Sequence, residues 1–293
     1  MAQVQTRRAY RAERAAAAAA GAGAGSRAGR NLPAATAVGI ILGIVIVGTL
    51  LTVKSTFLIV VVAAIGVGAW ELVEAARSGR IHAPLVPVMT GAVSIVPIAY
   101  LAGPEGLMLG FGLTCLAILL WRAVDGLDGA VRDIAGGAFI TAYVPLLAGF
   151  VALMLAEPDG NRRVLVFVVV TAMSDIGGYA VGVLLGRHPM APSVSPKKSW
   201  EGFAGSVVWC AVAGLLTVTL MLDASWWVGL LVGLAVAVTA TVGDLAESTI
   251  KRDLGIKDMG SVLPGHGGLM DRLDSLLVVA PVVWLLLTVW VPA

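Results

Sequence analysis

The chain has 293 residues, 58% hydrophobic and only 13% charged, with a formal net charge of +2 and a mean hydropathy of +0.93. Soluble domains carry about 45–50% apolar and about 25% charged residues, so a soluble enzyme, a secreted disulfide scaffold and a disordered chain are all excluded. The composition predicts an all-α, polytopic integral membrane protein, because backbone groups in lipid must be satisfied within the segment and long apolar runs therefore become helices.

Residues 1–33 stand apart: six Arg, an Ala run and an alternating Gly/Ala tract. They lack the compact apolar core of a signal peptide and read as a disordered basic arm suited to anionic lipid headgroups. Residues 34–293 read as one transmembrane helical domain. Its uncharged runs, 31–53, 81–104, 134–156, 202–222, 224–243 and 275–293, are each long enough for a bilayer core of about 30 Å, which takes about 20 residues of helix. Nine helices are expected, near 34–53, 56–74, 85–102, 105–122, 133–156, 163–186, 202–222, 225–250 and 272–291. A cytoplasmic N-terminus and an outside C-terminus leave only Lys54, Arg162 and Arg163 of the 20 Lys/Arg outside, as the positive-inside rule requires. The expected location is the plasma membrane. Cys115, Cys210 and the scattered His82, His188 and His266 show no zinc spacing.

Two longer segments then fall on the cytoplasmic side, 187–201 (RHPMAPSVSPKKSWE) and 251–271 (KRDLGIKDMGSVLPGHGGLMD). The helix entering the second carries Asp244, Glu247, Ser248 and Lys251 on one face. A solvated helix end accounts for part of this face, but Asp244 lies about two turns inside the apolar layer, where an Asp costs up to about 2.5–3.5 kcal/mol. The last helix opens with Asp271 and Asp274, one turn apart at its N-terminus. Capping explains one of them; with Asp244 they offer hard oxygen donors of the kind magnesium takes beside substrate phosphates. Lys251, Arg252 and Lys257 suit a polyphosphate. The glycines around His266 suit close approach of backbone N–H groups to an anion. Asp175, with Gly177, Gly178 and Tyr179, interrupts the sixth helix near mid-membrane. Lys197 and Lys198 follow it as further phosphate or nucleoside contacts.

The stretch 248–274, STIKRDLGIKDMGSVLPGHGGLMDRLD, resembles the signature of the phosphatidate cytidylyltransferases (CDP-diacylglycerol synthases). It fills each fixed position of the pattern: Ser248, Lys251, Arg252, Lys257, Asp258, Leu263, Pro264, His266, Gly267, Gly268, Asp271, Arg272 and Asp274. The segments around Asp175 and Lys197 also resemble the family, so the resemblance covers about 165–293, the expected catalytic half. It implies transfer of a cytidylyl group from CTP to phosphatidic acid at the cytoplasmic face. It also implies a magnesium centre on Asp244 and Asp271 with a second cation such as K+, and is compatible with a homodimer. Lys251, Arg252, Lys257, Asp258, His266 and Asp274 are the expected catalytic residues. Asp175, Tyr179, Lys197, Lys198, Ser248, Gly267, Gly268 and Arg272 are the expected substrate contacts. Expected partners are CTP, phosphatidic acid and membrane lipids, not nucleic acid.

Two other classes share some of these features. An ion-coupled transporter also uses buried Asp175 and Asp244, but gives no reason for the basic, Gly-rich loop. Another CTP-dependent lipid enzyme, such as a polyprenol kinase or an archaeal-type CDP-lipid synthase, differs in its product.

Overall fold

The computed structural model describes residues 32–126, 128–260, 262 and 267–292. Most of the expected N-terminal arm, and His266, lie outside them. The elements run α1 (Leu32–Thr52), α2 (Lys54–Ser78), α3 (Leu85–Asp125), α4 (Ala130–Thr141), a π-turn (Ala142–Leu146), α5 (Leu147–Ala156) and α6 (Gly160–Leu185). A short hairpin follows, β1 (Pro189–Ala191) and β2 (Ser195–Ser199), and then α7 (Trp200–Leu222), α8 (Trp226–Asp253) and α9 (Met270–Trp290).

Among the described residues seven helices are long and apolar enough to cross a membrane, which corrects the expectation of nine. The expected helices at 85–102 and 105–122 are the two arms of α3, joined at a kink and counted as one span. Gly103 breaks it with φ 66° and ψ −158°, a conformation open to glycine, and Pro104 further disfavours helical backbone there. The two arms fold back on each other: a Cβ at Gly91 would meet Thr114, and one at Gly110 would meet Ile95. The remaining difference is α1, of which Ile41–Thr52 counts as a shorter apolar helix. The span at Ala130–Ala156 is continuous but carries the π-turn around Pro145, since proline supplies no N–H to the helical ladder.

Leu101, Leu184 and Leu220 are 82%, 80% and 76% exposed, an apolar exterior suited to lipid. Between helices the contacts are made by small residues, as membrane packing favours. A Cβ at Gly214 would lie 2.3 Å from Gly229 O, joining α7 to α8. Gly177 rests under Trp209 and Gly178 under Ser206, where Ser206 Oγ donates to Ser174 O at 2.7 Å. The two glycines beside Asp175 are thus packing residues. Gly243 brings α9 onto α8 so closely that a Cβ there would lie 2.8 Å from Asp274 O; this contact sets Asp244 and Glu247 beside Asp271 and Asp274.

The three cations assigned outside gather at one end of the bundle. Lys54 reaches the carbonyls of Glu157 and Pro158, and Arg162 donates to Met221 O at 3.3 Å. Arg163 is 2% exposed, pairs with Asp159 at 2.6 Å, and donates to Leu287 O at 3.2 Å and Val291 O at 2.9 Å. It thereby adds a donor to Leu287 O, which also accepts from Val291 N at 2.9 Å, and supplies one to Val291 O just past the end of α9. Arg163→Met leaves those carbonyls and Asp159 without the guanidinium, and should cost about 2–4 kcal/mol of stability. Thermal unfolding in detergent should show this loss with turnover per folded molecule unchanged; an unshifted melting temperature would contradict the role.

Candidate active site at the convergence of two segments

At the opposite end the 187–201 segment is a small antiparallel hairpin, with Pro189 opposite Ser199. The Glu201 carboxylate fastens it by accepting from the backbone N–H groups of Arg187 (3.1 Å) and His188 (3.2 Å) and by meeting His188 Nδ1 at 2.5 Å. Ser199 caps α7, its hydroxyl accepting from Gly202 N at 3.1 Å. The hairpin leans on α8: Lys198 pairs with Asp244, and Arg252 Nε donates to Val194 O at 3.4 Å. The expected convergence of the two segments is present.

On α8, Lys251 Nζ joins Glu247 Oε2 at 2.6 Å to Asp271 Oδ1 at 2.8 Å on α9. Asp271 also accepts from Gly268 N at 2.8 Å and Met259 N at 3.1 Å, so one carboxylate gathers both ends of the glycine-rich segment. Gly267 takes φ +82°, a left-handed conformation that favours glycine. Asp274, 9% exposed, accepts from Ser275 N at 2.8 Å.

These groups line a cavity of about 670 Å³ with five basic and five acidic side chains. It contains Lys197, Lys198, Asp244, Ser248, Lys251 and Lys257, and also Asp258, Gly267, Asp271, Arg272 and Asp274. Two adjoining chambers share Lys197 with it. One, about 350 Å³, lies beneath the hairpin and holds Asp175, Tyr179, Lys198 and Asp244. The other, about 430 Å³, is lined by Lys197, Lys251, Arg252 and Lys257 and by no carboxylate. The signature residues are therefore brought together where they are described, and Asp175 sits in the side chamber rather than in the main cavity. Gly268 acts through its N–H to Asp271.

No group of three or more His, Cys, Asp or Glu is placed to hold a metal among the described residues. Magnesium needs fewer, one or two carboxylates beside substrate phosphates. Asp244 and Asp271 line the same cavity, and Glu247 Oε1 is buried with no hydrogen-bond donor, an unbalanced oxygen that a nearby cation would offset. The donor set is all hard oxygen and fits the ion.

One side chain not singled out by the sequence also reaches the site. Glu71, on α2 and 1% exposed, accepts from Met270 N at 2.8 Å. Followed by Glu74 and Arg77 in the last turns of α2, it looks like part of an ordinary solvated helix end in sequence.

The chain matches the model of the cytidylyltransferase family over residues 33–290. It is 43% identical over 278 residues to the phosphatidate cytidylyltransferase of Mycobacterium leprae, covering 89% of each chain. It is 40% identical to that of Mycobacterium tuberculosis (strain H37Rv), covering 90% of this chain and 84% of the relative. A shorter match, 41% identical over 178 residues, covers 60% of this chain and 59% of the uncharacterized protein YnbB of Escherichia coli. With helix-end carboxylates, paired lysines and a basic chamber in one place, and with the family match running nearly the whole described length, the chain belongs to the cytidylyltransferase family.

Proposed function

We propose that the chain transfers the cytidylyl group of CTP to phosphatidic acid, releasing pyrophosphate and leaving CDP-diacylglycerol in the membrane. The observation that carries this reading is the meeting of a mixed-charge cavity with an all-basic chamber at one end of the helices. A polyphosphate and a lipid phosphate both require such a charge-balanced place, at the depth where one substrate is in lipid and the other in water. The names of the mycobacterial relatives support the same acceptor. Lys54, Arg162 and Arg163 lie at the far end, so the positive-inside rule turns the cavity toward the cytoplasm, and the plasma membrane is the site of action.

In the reaction a phosphate oxygen of the lipid bonds to the α-phosphorus of CTP. The bond from that phosphorus to the oxygen bridging to the β-phosphate breaks, and its electron pair leaves with pyrophosphate. The attacking oxygen is already anionic, so no strong base is needed. The obstacle is the meeting of two polyanions, and catalysis is chiefly positioning and charge neutralisation. Lys197, Lys251, Arg252 and Lys257 hold the β- and γ-phosphates and offset the charge that builds on the leaving group. Lys198 and Arg272 face the lipid phosphate, and Tyr179 with Asp175 lines the chamber for the nucleoside. Asp244 and Asp271 would hold magnesium, which when bound neutralises phosphate charge as a Lewis acid.

Label position tests the bond that breaks. With CTP labelled at the α-phosphorus the label should pass to the lipid, and with label at the γ-phosphorus it should leave as pyrophosphate. Transfer of the γ-label to the lipid would identify a kinase and overturn the reading.

A further inference from the structure

Glu71 is a buried side chain at the site that the reaction above does not use. It is a carboxylate in the interior of a membrane-spanning helix, where ionisable groups are expensive and usually functional. Among the described residues its one hydrogen-bond partner is Met270 N, at 2.8 Å, the first residue of α9, and Oε1 is buried with no donor. No cation among the described residues pairs with it. What offsets its charge is the positive end of the α9 dipole, which a carboxylate caps favourably. The cap comes from another helix, 199 residues away in sequence.

The glycine-rich segment is shaped around this carboxylate. A Cβ at Gly260 would lie 2.2 Å from Glu71 Oε1 and 2.5 Å from its Cδ; one at Gly268 would lie 2.8 Å from Oε2 and 2.9 Å from Asp271 Oδ2. One helical turn before Glu71, Gly68 seats α2 against Met270 and Leu273. Met259 and Gly268 in turn donate to Asp271, the residue directly after Met270. Glu71 therefore touches both flanks of the segment that organises Asp271, and does so from the half of the chain with no signature residues.

We propose that Glu71 is a positioning residue of the active site: it caps α9 from α2 and fixes the Gly260 and Gly268 backbone so that Asp271 faces the cavity. This rests on the proposed reaction for its kinetic arm only. A misplacement of the order of 1 Å at a reacting centre costs about 10²-fold in rate, so the effect falls on kcat rather than on KM for CTP.

The experiment uses the full-length protein purified in detergent, with Glu71→Gln, Glu71→Ala, Gly260→Ala and the double variant Glu71→Ala/Gly260→Ala. Glu71→Gln keeps an oxygen acceptor for Met270 N and should retain kcat within a few-fold. Glu71→Ala should lose about 10²-fold in kcat with KM for CTP little changed. Hydrogen exchange of peptides spanning 258–272 should accelerate in Glu71→Ala, with the far-end peptides around Arg163 unaffected. Gly260→Ala should be severely impaired alone yet add little to Glu71→Ala, because the atoms it would strike are gone. Wild-type exchange at 258–272 in Glu71→Ala, or an equal Gly260→Ala penalty in both backgrounds, would overturn the proposal. So would failure of Glu71→Gln to restore what Glu71→Ala loses. Exchange is read on the resting protein without substrates. An inactive wild-type protein would therefore sink the proposed reaction while the exchange data still decide the role of Glu71.

Discussion

Replacing Asp271 with Ala or Asn should lower kcat by about 10²–10³-fold, the scale seen when one preorganised electrostatic contact is removed from a reacting centre. Asp271 accepts from Lys251, Gly268 and Met259 at once. The Ala variant frees all three donors. The Asn variant keeps a carbonyl for one backbone N–H but cannot balance the Lys251 charge, so a near-isosteric change should be almost as damaging. Both proteins should still enter the membrane, since α9 remains an apolar span. Turnover of Asp271→Asn within ten-fold of wild type, at saturating CTP, would remove Asp271 from the centre of the mechanism.

Lys251→Met should be the second severe variant, and it should act in two ways. The ammonium joins Glu247 Oε2 to Asp271 Oδ1 and lines both the main cavity and the all-basic chamber. Without it, Glu247 at 2% exposure loses the ammonium it pairs with, a loss of about 3–5 kcal/mol for a broken buried pair. Phosphate binding in the basic chamber weakens as well, so KM for CTP should rise together with a fall in kcat of about 10²–10⁴-fold. Lys251→Arg should not rescue: the flat guanidinium fork cannot reproduce a point contact to two carboxylates on different helices. A Lys251→Met protein with ordinary KM and normal melting would contradict both roles.

Much of this site was legible before any coordinates. The face Asp244–Glu247–Ser248–Lys251 follows from helical spacing, and Lys251 does bridge to Glu247 one turn away. The cation pattern separated Lys54, Arg162 and Arg163 from the rest, and they meet at one end of the bundle. The number of spans was less legible. The turn at Gly103 falls between the helices expected at 85–102 and 105–122, whereas α1 counts only as the shorter apolar helix Ile41–Thr52. The hairpin at Pro189–Ser199 leaves no strand pattern in the sequence, because it is held by Glu201 and by pairing across a turn, not by any apolar alternation. Glu71 was silent for a different reason: its meaning lies in Met270, Gly260 and Gly268, contacts between distant parts of the chain that no local pattern encodes.

The measurement that bears most directly on the account is product analysis of the detergent-purified protein with phosphatidic acid, CTP and Mg²⁺. The account predicts CDP-diacylglycerol and pyrophosphate in equal amounts, both lost with EDTA and both lost in Asp271→Asn. Folded wild-type protein that forms neither product, or that yields a lipid diphosphate and CDP instead, would contradict it.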